Sequence, residues 1–149
     1  MQITFLDQPA LRLISAKAGT FPSGIKDAYA TIENRLPTLS GRKMYGLGFR
    51  TENGFEYHAG LVPESEREEQ EFGFPIIEIP AGPCVSTTLF DWFDNTDQIS
   101  ALIGLMIAHF GTDPTRPTMV ERRSMNELHL LVPITHLQHV QSKTGASMP

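Results

Sequence analysis

A chain of 149 residues, 40% hydrophobic and 19% charged, has the size and composition of one globular domain with a sizeable core. Its net charge of −5 argues against a non-specific nucleic-acid binder and favours neutral or cationic small ligands. Cys84 is the only cysteine, which excludes an intrachain disulfide and indicates a buried, inert thiol. The sequence shows no signal-peptide pattern, and its longest apolar run, Ile99 to Phe110, is too short to cross a bilayer. We therefore expect a cytoplasmic protein with no membrane partner.

The first part of the chain predicts the order strand, helix, strand, strand. A strand from Gln2 to Ala16, broken near Pro9, leads to a helix from Ile25 to Leu36, where apolar residues recur at helical spacing. Ser23 can cap this helix. Two further strands, 43–49 and 55–62, flank an Asn-Gly pair that tolerates the positive φ of a tight hairpin turn.

A connector and a second set of elements follow. Residues 64–73 hold five glutamates and predict a solvated acidic connector, because carboxylates at this density repel one another. Strands at 76–79 and 84–90 then precede a helix from Thr96 to Phe110, for which Asn95 and Gln98 can form a capping box. This helix is apolar on every side, so we expect it to be buried against the sheet and also against a ligand groove or a second subunit.

The end of the chain completes a repeated pattern. Two strands flank a tight turn at 124–126, and residues 138–149 form a polar C-terminal tail. Leu131-Val132-Pro133 repeats Leu61-Val62-Pro63 at a distance of 70 residues. We predict an α+β fold of duplicated strand-helix-strand-strand units, half one 1–63 and half two 74–134, related by a pseudo-twofold axis. Both helices would lie on one face of a joined antiparallel sheet, with a ligand groove between them.

Four short motifs lie on the predicted strands of both halves. They are Tyr45-Gly46-Leu47-Gly48, Tyr57-His58-Ala59-Gly60, Ile79-Pro80-Ala81-Gly82 and Glu127-Leu128-His129-Leu130-Leu131-Val132-Pro133-Ile134. Together they resemble the GyrI-like small-molecule-binding domain family. That family includes effector-binding domains of multidrug-responsive AraC-type and MerR-type transcription regulators and stand-alone gyrase-inhibitor-like proteins. The resemblance implies the duplicated fold, as a single ligand-binding domain over residues 1–137.

The resemblance also implies a binding residue. In this family a glutamate on the penultimate strand is the buried counter-charge for lipophilic cations, and the matching position here is Glu121. A buried carboxylate needs a cation or hydrogen-bond donors to stay ionised, and aromatic faces attract delocalised cations. We therefore predict a ligand site formed by Glu121 with Tyr45, Trp92 and Phe93, and Glu127 as a weaker acidic candidate. A surface ion pair of Glu121 with Arg122 or Arg123 is the alternative.

Three functions follow from these features. The leading one is a stand-alone binding module for amphipathic, cationic aromatic compounds, a sensor or sequestering protein without a DNA-binding domain, a cofactor or an activity of its own. The second is a GyrI-like hydrolase that uses Glu121 and Glu127 as paired carboxylates, which would require a raised carboxylate pKa. The third is a gyrase-inhibitor-like role with a protein partner, which would bind the acidic connector at 64–71 and the apolar second helix. Separately, an exposed apolar face on that helix would predict a homodimer. The histidines show no ligand spacing, so we expect no metal site.

Overall fold

The computed structural model describes residues 2–20, 23–52, 54–124 and 126–135, with the backbone alone for Phe93. The chain folds into eight antiparallel strands in one curled sheet and three α-helices, which confirms the predicted α+β class. The strands are β1 (Thr4–Gln8), β2 (Leu11–Lys17), β3 (Met44–Thr51), β4 (Gly54–Leu61), β5 (Ile76–Ile79), β6 (Gly82–Phe90), β7 (Thr118–Arg122) and β8 (Glu127–Pro133). The helices are α1 (Ile25–Glu33), α2 (Glu66–Phe72) and α3 (Asp97–Phe110), and a short 3-10 turn spans Trp92–Asp94.

The strand order across the sheet is β1-β6-β8-β7-β3-β4-β2-β5. The predicted halves meet edge to edge where β7 pairs with β3. At the two outer edges they exchange strands, since β1 pairs with β6 and β2 pairs with β5. The chain breaks at Pro9-Ala10 and again at Pro80-Ala81, where a proline cannot donate to the ladder and the strand can change partners. The duplication itself, with its pseudo-twofold axis, stays a prediction.

Both long helices lie on the same face of the sheet, which we call the helix side. Cross-strand partners point to one face, and successive residues of a strand alternate between faces. Ala59 of β4 packs against α1, while Leu130 of β8 packs against α3. Gly46 pairs with Ala59 and with Val120, and Val120 pairs with Leu130, so all four positions share a face.

The opposite face, which we call the inner side, carries a separate apolar cluster. Leu13, Leu47 and Leu131 are at most 2% exposed there, although no helix covers them. Leu6 of β1 and Ile79 of β5 belong to the same cluster, even though their strands lie at opposite edges of the sheet. The curl of the sheet therefore closes the inner side into a filled core.

The acidic connector contains an element that the sequence did not predict, since residues 66–72 form helix α2. Ser65 caps it by accepting a hydrogen bond from the Glu68 amide, and Gly73 ends it in the left-handed conformation at φ 66°. The repulsion among the glutamates is offset by arginines of the first half: Arg42 pairs with Glu68 at 2.5 Å and Arg12 pairs with Glu69 at 2.9 Å.

The helix termini also differ from the predicted ones. Ser23 bonds the Thr20 hydroxyl at 2.6 Å, and Gly24 occupies the N-cap of α1 without a side-chain cap. Asn95 donates its side-chain amide to the Asp91 carbonyl, so the predicted capping box is absent from α3. Both polar side chains are engaged by the preceding turn and cannot reach the helix amides.

Helix α3 is less buried than expected. Met106 is its buried residue, whereas Ala101, Gly104, Leu105 and Ala108 are exposed. Its outward face is therefore apolar and open to solvent in the single chain. Among the described residues, no helix has the length and apolar character needed to cross a membrane.

Candidate ligand groove

A strip of the helix side between α1 and α3 is not covered by either helix. Helix α1 packs on β2 and β4, while α3 packs on β6 and β8, and β3 and β7 lie between them. Gly46 and Gly48 of β3 point to this strip and present no side chain. Gly46 and Gly48 are buried beneath neighbouring side chains, whereas Val120 of β7 is half-buried and Arg122 is exposed. We call this strip, with its exposed part over β7, the helix-side groove.

Two tyrosines lie over the floor of this groove. A Cβ built on Gly46 would come within 1.8 Å of the Tyr57 hydroxyl and 2.9 Å of the Tyr29 hydroxyl, so the phenol groups need the glycine. The two hydroxyls lie 3.3 Å apart. Burial raises the pKa of both tyrosines, which keeps both rings neutral at physiological pH.

Arg122 bridges the groove from β7. Its guanidinium carbon lies 5.1 Å from the ring centroid of Trp92 and 5.7 Å from that of Tyr29, within the range of cation–π attraction. Trp92 is 9% exposed and donates its indole N–H to the Ser124 carbonyl at 3.1 Å, which orients the ring. A left-handed residue, Asp91 at φ 53°, turns the chain from β6 into the 3-10 turn that carries Trp92.

The Arg122 side chain has no ionic partner in the described part of the chain. No carboxylate oxygen there lies within 4 Å of its guanidinium nitrogens. Sequence reasoning considered Arg122 only as a partner for Glu121. The strand alternation that places Tyr45 and Gly46 on opposite faces also separates Glu121 from Arg122, and this signal could have identified the arginine.

Glu121 lies on the inner side, next to Tyr45 as its cross-strand partner. It is 4% exposed, and its carboxylate lies 3.1 Å from Arg123 Nε, 3.4 Å from Lys43 Nζ and 3.7 Å from His129 Nδ1. The contact with His129 and the charges of Lys43 and Arg123 outweigh burial and lower the pKa of Glu121 to about 2. Its negative charge is therefore already compensated by the protein.

The histidine in this cluster can serve only one partner at a time. The Nδ1 atom of His129 lies 3.1 Å from Arg123 Nη2, and a guanidinium can only donate. At that distance Nδ1 accepts from Arg123, so the longer 3.7 Å approach of Nδ1 to Glu121 is not a hydrogen bond while the bond with Arg123 is formed. Lys43 and Arg123 therefore supply the permanent positive charge around Glu121.

The structure separates the predicted site residues into two groups. Tyr45 and Glu121 lie on the inner side, where burial and the nearby Glu121 charge raise the pKa of Tyr45 to about 12. Glu127 pairs with Phe90 at the end of β8 and also falls on the inner side. Trp92 lies on the helix side, and the side chain of Phe93 is outside the described residues. The predicted grouping of Glu121 and Tyr45 with Trp92 is therefore not formed, because β3 and β7 point their odd-numbered residues away from the helices.

The described side chains suggest neither a metal site nor a reactive thiol. Within the described ranges, no cluster of three or more histidine, cysteine, aspartate or glutamate side chains could hold a metal ion. Burial raises the pKa of the Cys84 thiol, and the guanidinium of Arg116 lies 3.8 Å from its sulfur. A raised pKa reduces the thiolate fraction and with it the reactivity of the thiol.

Comparison with known proteins shows a shared fold. No protein-family model and no curated protein sequence matches the chain. Among solved structures, SAV2435 bound to tetraphenylphosphonium has a TM-score of 0.64 at 11% identity, over 95% of this chain and 99% of that chain. A Staphylococcus aureus MU50 protein described as a bacterial transcription regulation protein has a TM-score of 0.60 at 10% identity, over 91% and 99%.

A third structure of the same fold is a hydrolase from Listeria innocua. Its TM-score is 0.55 at 11% identity, over 90% of this chain and 92% of that chain. At these identities the likeness shows the fold alone. The fold is consistent with the predicted GyrI-like ligand-binding domain, and proteins described as ligand-bound, regulatory and hydrolytic all share it.

Proposed function

We propose that the chain is a small-molecule-binding module of the regulator-effector type, with its ligand in the helix-side groove. The arrangement of Tyr29, Arg122 and Trp92 carries this proposal. Two aromatic rings, Tyr29 from α1 and Trp92 from the turn after β6, lie against the same guanidinium between the two long helices. Aromatic rings with a few polar groups are typical of ligand pockets. The structure of SAV2435 with tetraphenylphosphonium supports the use of this fold for a small organic ligand.

In this proposal the protein acts as a sensor or as a sequestering protein. The two halves would be duplicated units about a pseudo-twofold axis that passes between β3 and β7, which is where the groove lies. A ligand between α1 and α3 would contact both halves at once. Binding could then be read out as a change in the position of one half relative to the other, by a partner that contacts either helix.

The position of Glu121 does not favour its predicted role as the counter-charge of a cationic ligand. Its carboxylate faces the inner side, and Lys43 and Arg123 already compensate its charge. The hydrolase alternative meets a related difficulty. A general acid needs a raised pKa, while the pKa of Glu121 is lowered to about 2. We therefore propose a binding function without turnover.

The experiment uses Trp92, which is the only tryptophan of the chain and lies in the groove. A panel of nitroaromatic compounds of both charges and of no charge is titrated while the emission of Trp92 is followed. The proposal expects saturable quenching by at least one compound, with recovery of the ligand at unchanged mass. Tyr29→Ala should weaken that binding at least tenfold, whereas Tyr45→Phe, on the inner side, should not change it. Hydrolysed product, or quenching that never saturates, would overturn the proposal.

A further inference from the structure

Arg122 differs from every other predicted or observed groove residue, because it brings a full positive charge to the helix side. We propose that Arg122 makes the groove selective for planar aromatic anions, with a carboxylate or sulfonate on an aromatic ring system. This inference rests on the proposed function, because it assigns the ligand class of the same groove. It reverses the charge preference that the sequence predicted.

The two neighbouring arginines, Arg122 and Arg123, differ in their ion pairs. Arg123, the next residue, points to the inner side and pairs with Glu121 at 3.1 Å. Arg122 has no comparable partner among the described residues. Glu33 is the acidic group whose charge acts on Tyr29, but its carboxylate lies more than 4 Å from the Arg122 guanidinium. The positive charge of Arg122 is therefore left for a ligand.

A cationic ligand would compete with Arg122 for the same aromatic rings. The guanidinium already lies against the rings of Trp92 and Tyr29, at 5.1 and 5.7 Å, in the position that a cationic aromatic ligand would need. A ligand cation would have to displace it or stand beside it. Repulsion between like charges at a few ångströms in a partly water-excluded site opposes the second arrangement. Arg122 thus acts as an internal competitor of ligand cations.

An anionic ligand would accept hydrogen bonds from the Arg122 guanidinium. A guanidinium presents five N–H donors in a plane that matches the two oxygens of a carboxylate. The Arg122 side chain donates no hydrogen bond to another described residue, so the described part of the chain leaves these donors unused. The cation–π contact with Trp92, at 5.1 Å, keeps the guanidinium next to the ring. The ring system of the ligand would then extend from Arg122 over Val120, which is half-buried on the same face of β7.

The net charge of −5 does not cancel this preference. At physiological ionic strength, charges separated by more than about 8 Å are largely screened. The acidic helix α2 packs against the first half through Arg12 and Arg42, so its glutamates are paired where they meet the sheet. The group nearest to the ligand therefore decides the charge preference. That group is Arg122.

The test uses three probes with one ring system: 2-naphthoate, 2-naphthamide and 2-naphthylmethylammonium. Isothermal titration of the whole chain should give an affinity for 2-naphthoate about 10- to 100-fold above that for the neutral amide, the effect of a charged hydrogen bond. The ammonium probe should bind more weakly than the amide. Arg122→Gln should remove the difference between naphthoate and amide, and Arg122→Glu should reverse the order of naphthoate and ammonium.

Arg123→Gln is the matched control, since it removes the same charge from the adjacent residue on the other face. It should keep the preference for naphthoate. Arg122→Lys keeps the charge without the planar fork, and should retain part of the preference; circular dichroism melting checks that each variant is folded. If the amide binds and naphthoate binds no better, or if Arg123→Gln lowers the preference as much as Arg122→Gln, the assignment of Arg122 is refuted. If none of the three probes binds, this ligand class is refuted, while the proposed function is decided separately by the Trp92 quenching titration.

Discussion

Glu121→Gln offers a direct measurement of what this buried carboxylate does. The substitution keeps the volume of the side chain and removes its charge. In the folded protein the pKa of Glu121 is lowered from 4.5 to about 2. A shift of that size corresponds to at most about 3 kcal/mol of folding free energy. The contact with His129 is the largest cause of the lowered pKa, and the charges of Lys43 and Arg123 add to it. The side chains of these two cations are 64% and 53% exposed, so water screens part of their effect. We expect a loss of about 1–2 kcal/mol at pH 7.

The stabilisation of the fold by Glu121 should decrease as the pH falls. Because the folded-state pKa lies below the unfolded-state value, the unfolded chain takes up the proton first as the pH falls. The stabilisation by Glu121 is therefore complete above about pH 5 and is lost as the pH falls from about 4.5 toward 2. Glutamine does not titrate, so the difference in stability between the wild type and Glu121→Gln should shrink over that range.

Urea denaturation at pH 7, 5, 4 and 3, followed by circular dichroism, measures this difference. Glu127→Gln is the matched control, since Glu127 lies on the same face and has no ion pair within the described residues. It should leave the stability unchanged within about 0.5 kcal/mol at each pH. A stability gap for Glu121→Gln that stays constant down to pH 3 would refute the ionic stabilisation. An equal loss in Glu127→Gln would show that the ion cluster around Glu121 is not its cause.

Three further predictions concern other parts of the fold. Arg116 is 8% exposed and donates hydrogen bonds to the carbonyls of Pro83 and Ile134. Arg116→Met should therefore lower the free energy of unfolding, measured by chemical denaturation, by about 3 kcal/mol. Arg67 is exposed, and Arg67→Met should change that free energy by less than about 0.5 kcal/mol. Gly46→Ala places a Cβ against the Tyr57 hydroxyl and should weaken ligand binding at least tenfold in the Trp92 quenching titration; Gly19→Ala, with open space at its Cβ, should not. The protein should sediment as a homodimer in sedimentation velocity runs, because the apolar face of α3 is exposed in the single chain. Leu105→Glu places a charge in that interface and should make the protein monomeric. A monomeric wild type would contradict this prediction.

The local pattern of the sequence was sufficient for the class of fold and for most of its elements. Helical spacing predicted α1 and α3, and strands bounded by prolines predicted β4 and β8 within a few residues. These elements depend on interactions between residues near in sequence, which is why spacing identifies them. The helix in 66–72 was missed, since the glutamates predicted repulsion and the offsetting arginines, Arg12 and Arg42, are distant in the chain.

Which residues come together in the candidate site depended on tertiary structure much more than the positions of the helices and strands did. A strand pattern tells which residues share a face, but not which face meets the helices; here the curl of the sheet buries Tyr45 and Glu121 on the inner side. The pairing of β7 with β3 then leaves Arg122 on the helix side, where α1 brings Tyr29 and the turn after β6 brings Trp92. Three residues so far apart in sequence meet only because the register of the whole sheet aligns them. The sequence by itself determined that an arginine follows Glu121, and the fold decided that this arginine lies between Trp92 and Tyr29 on the helix side.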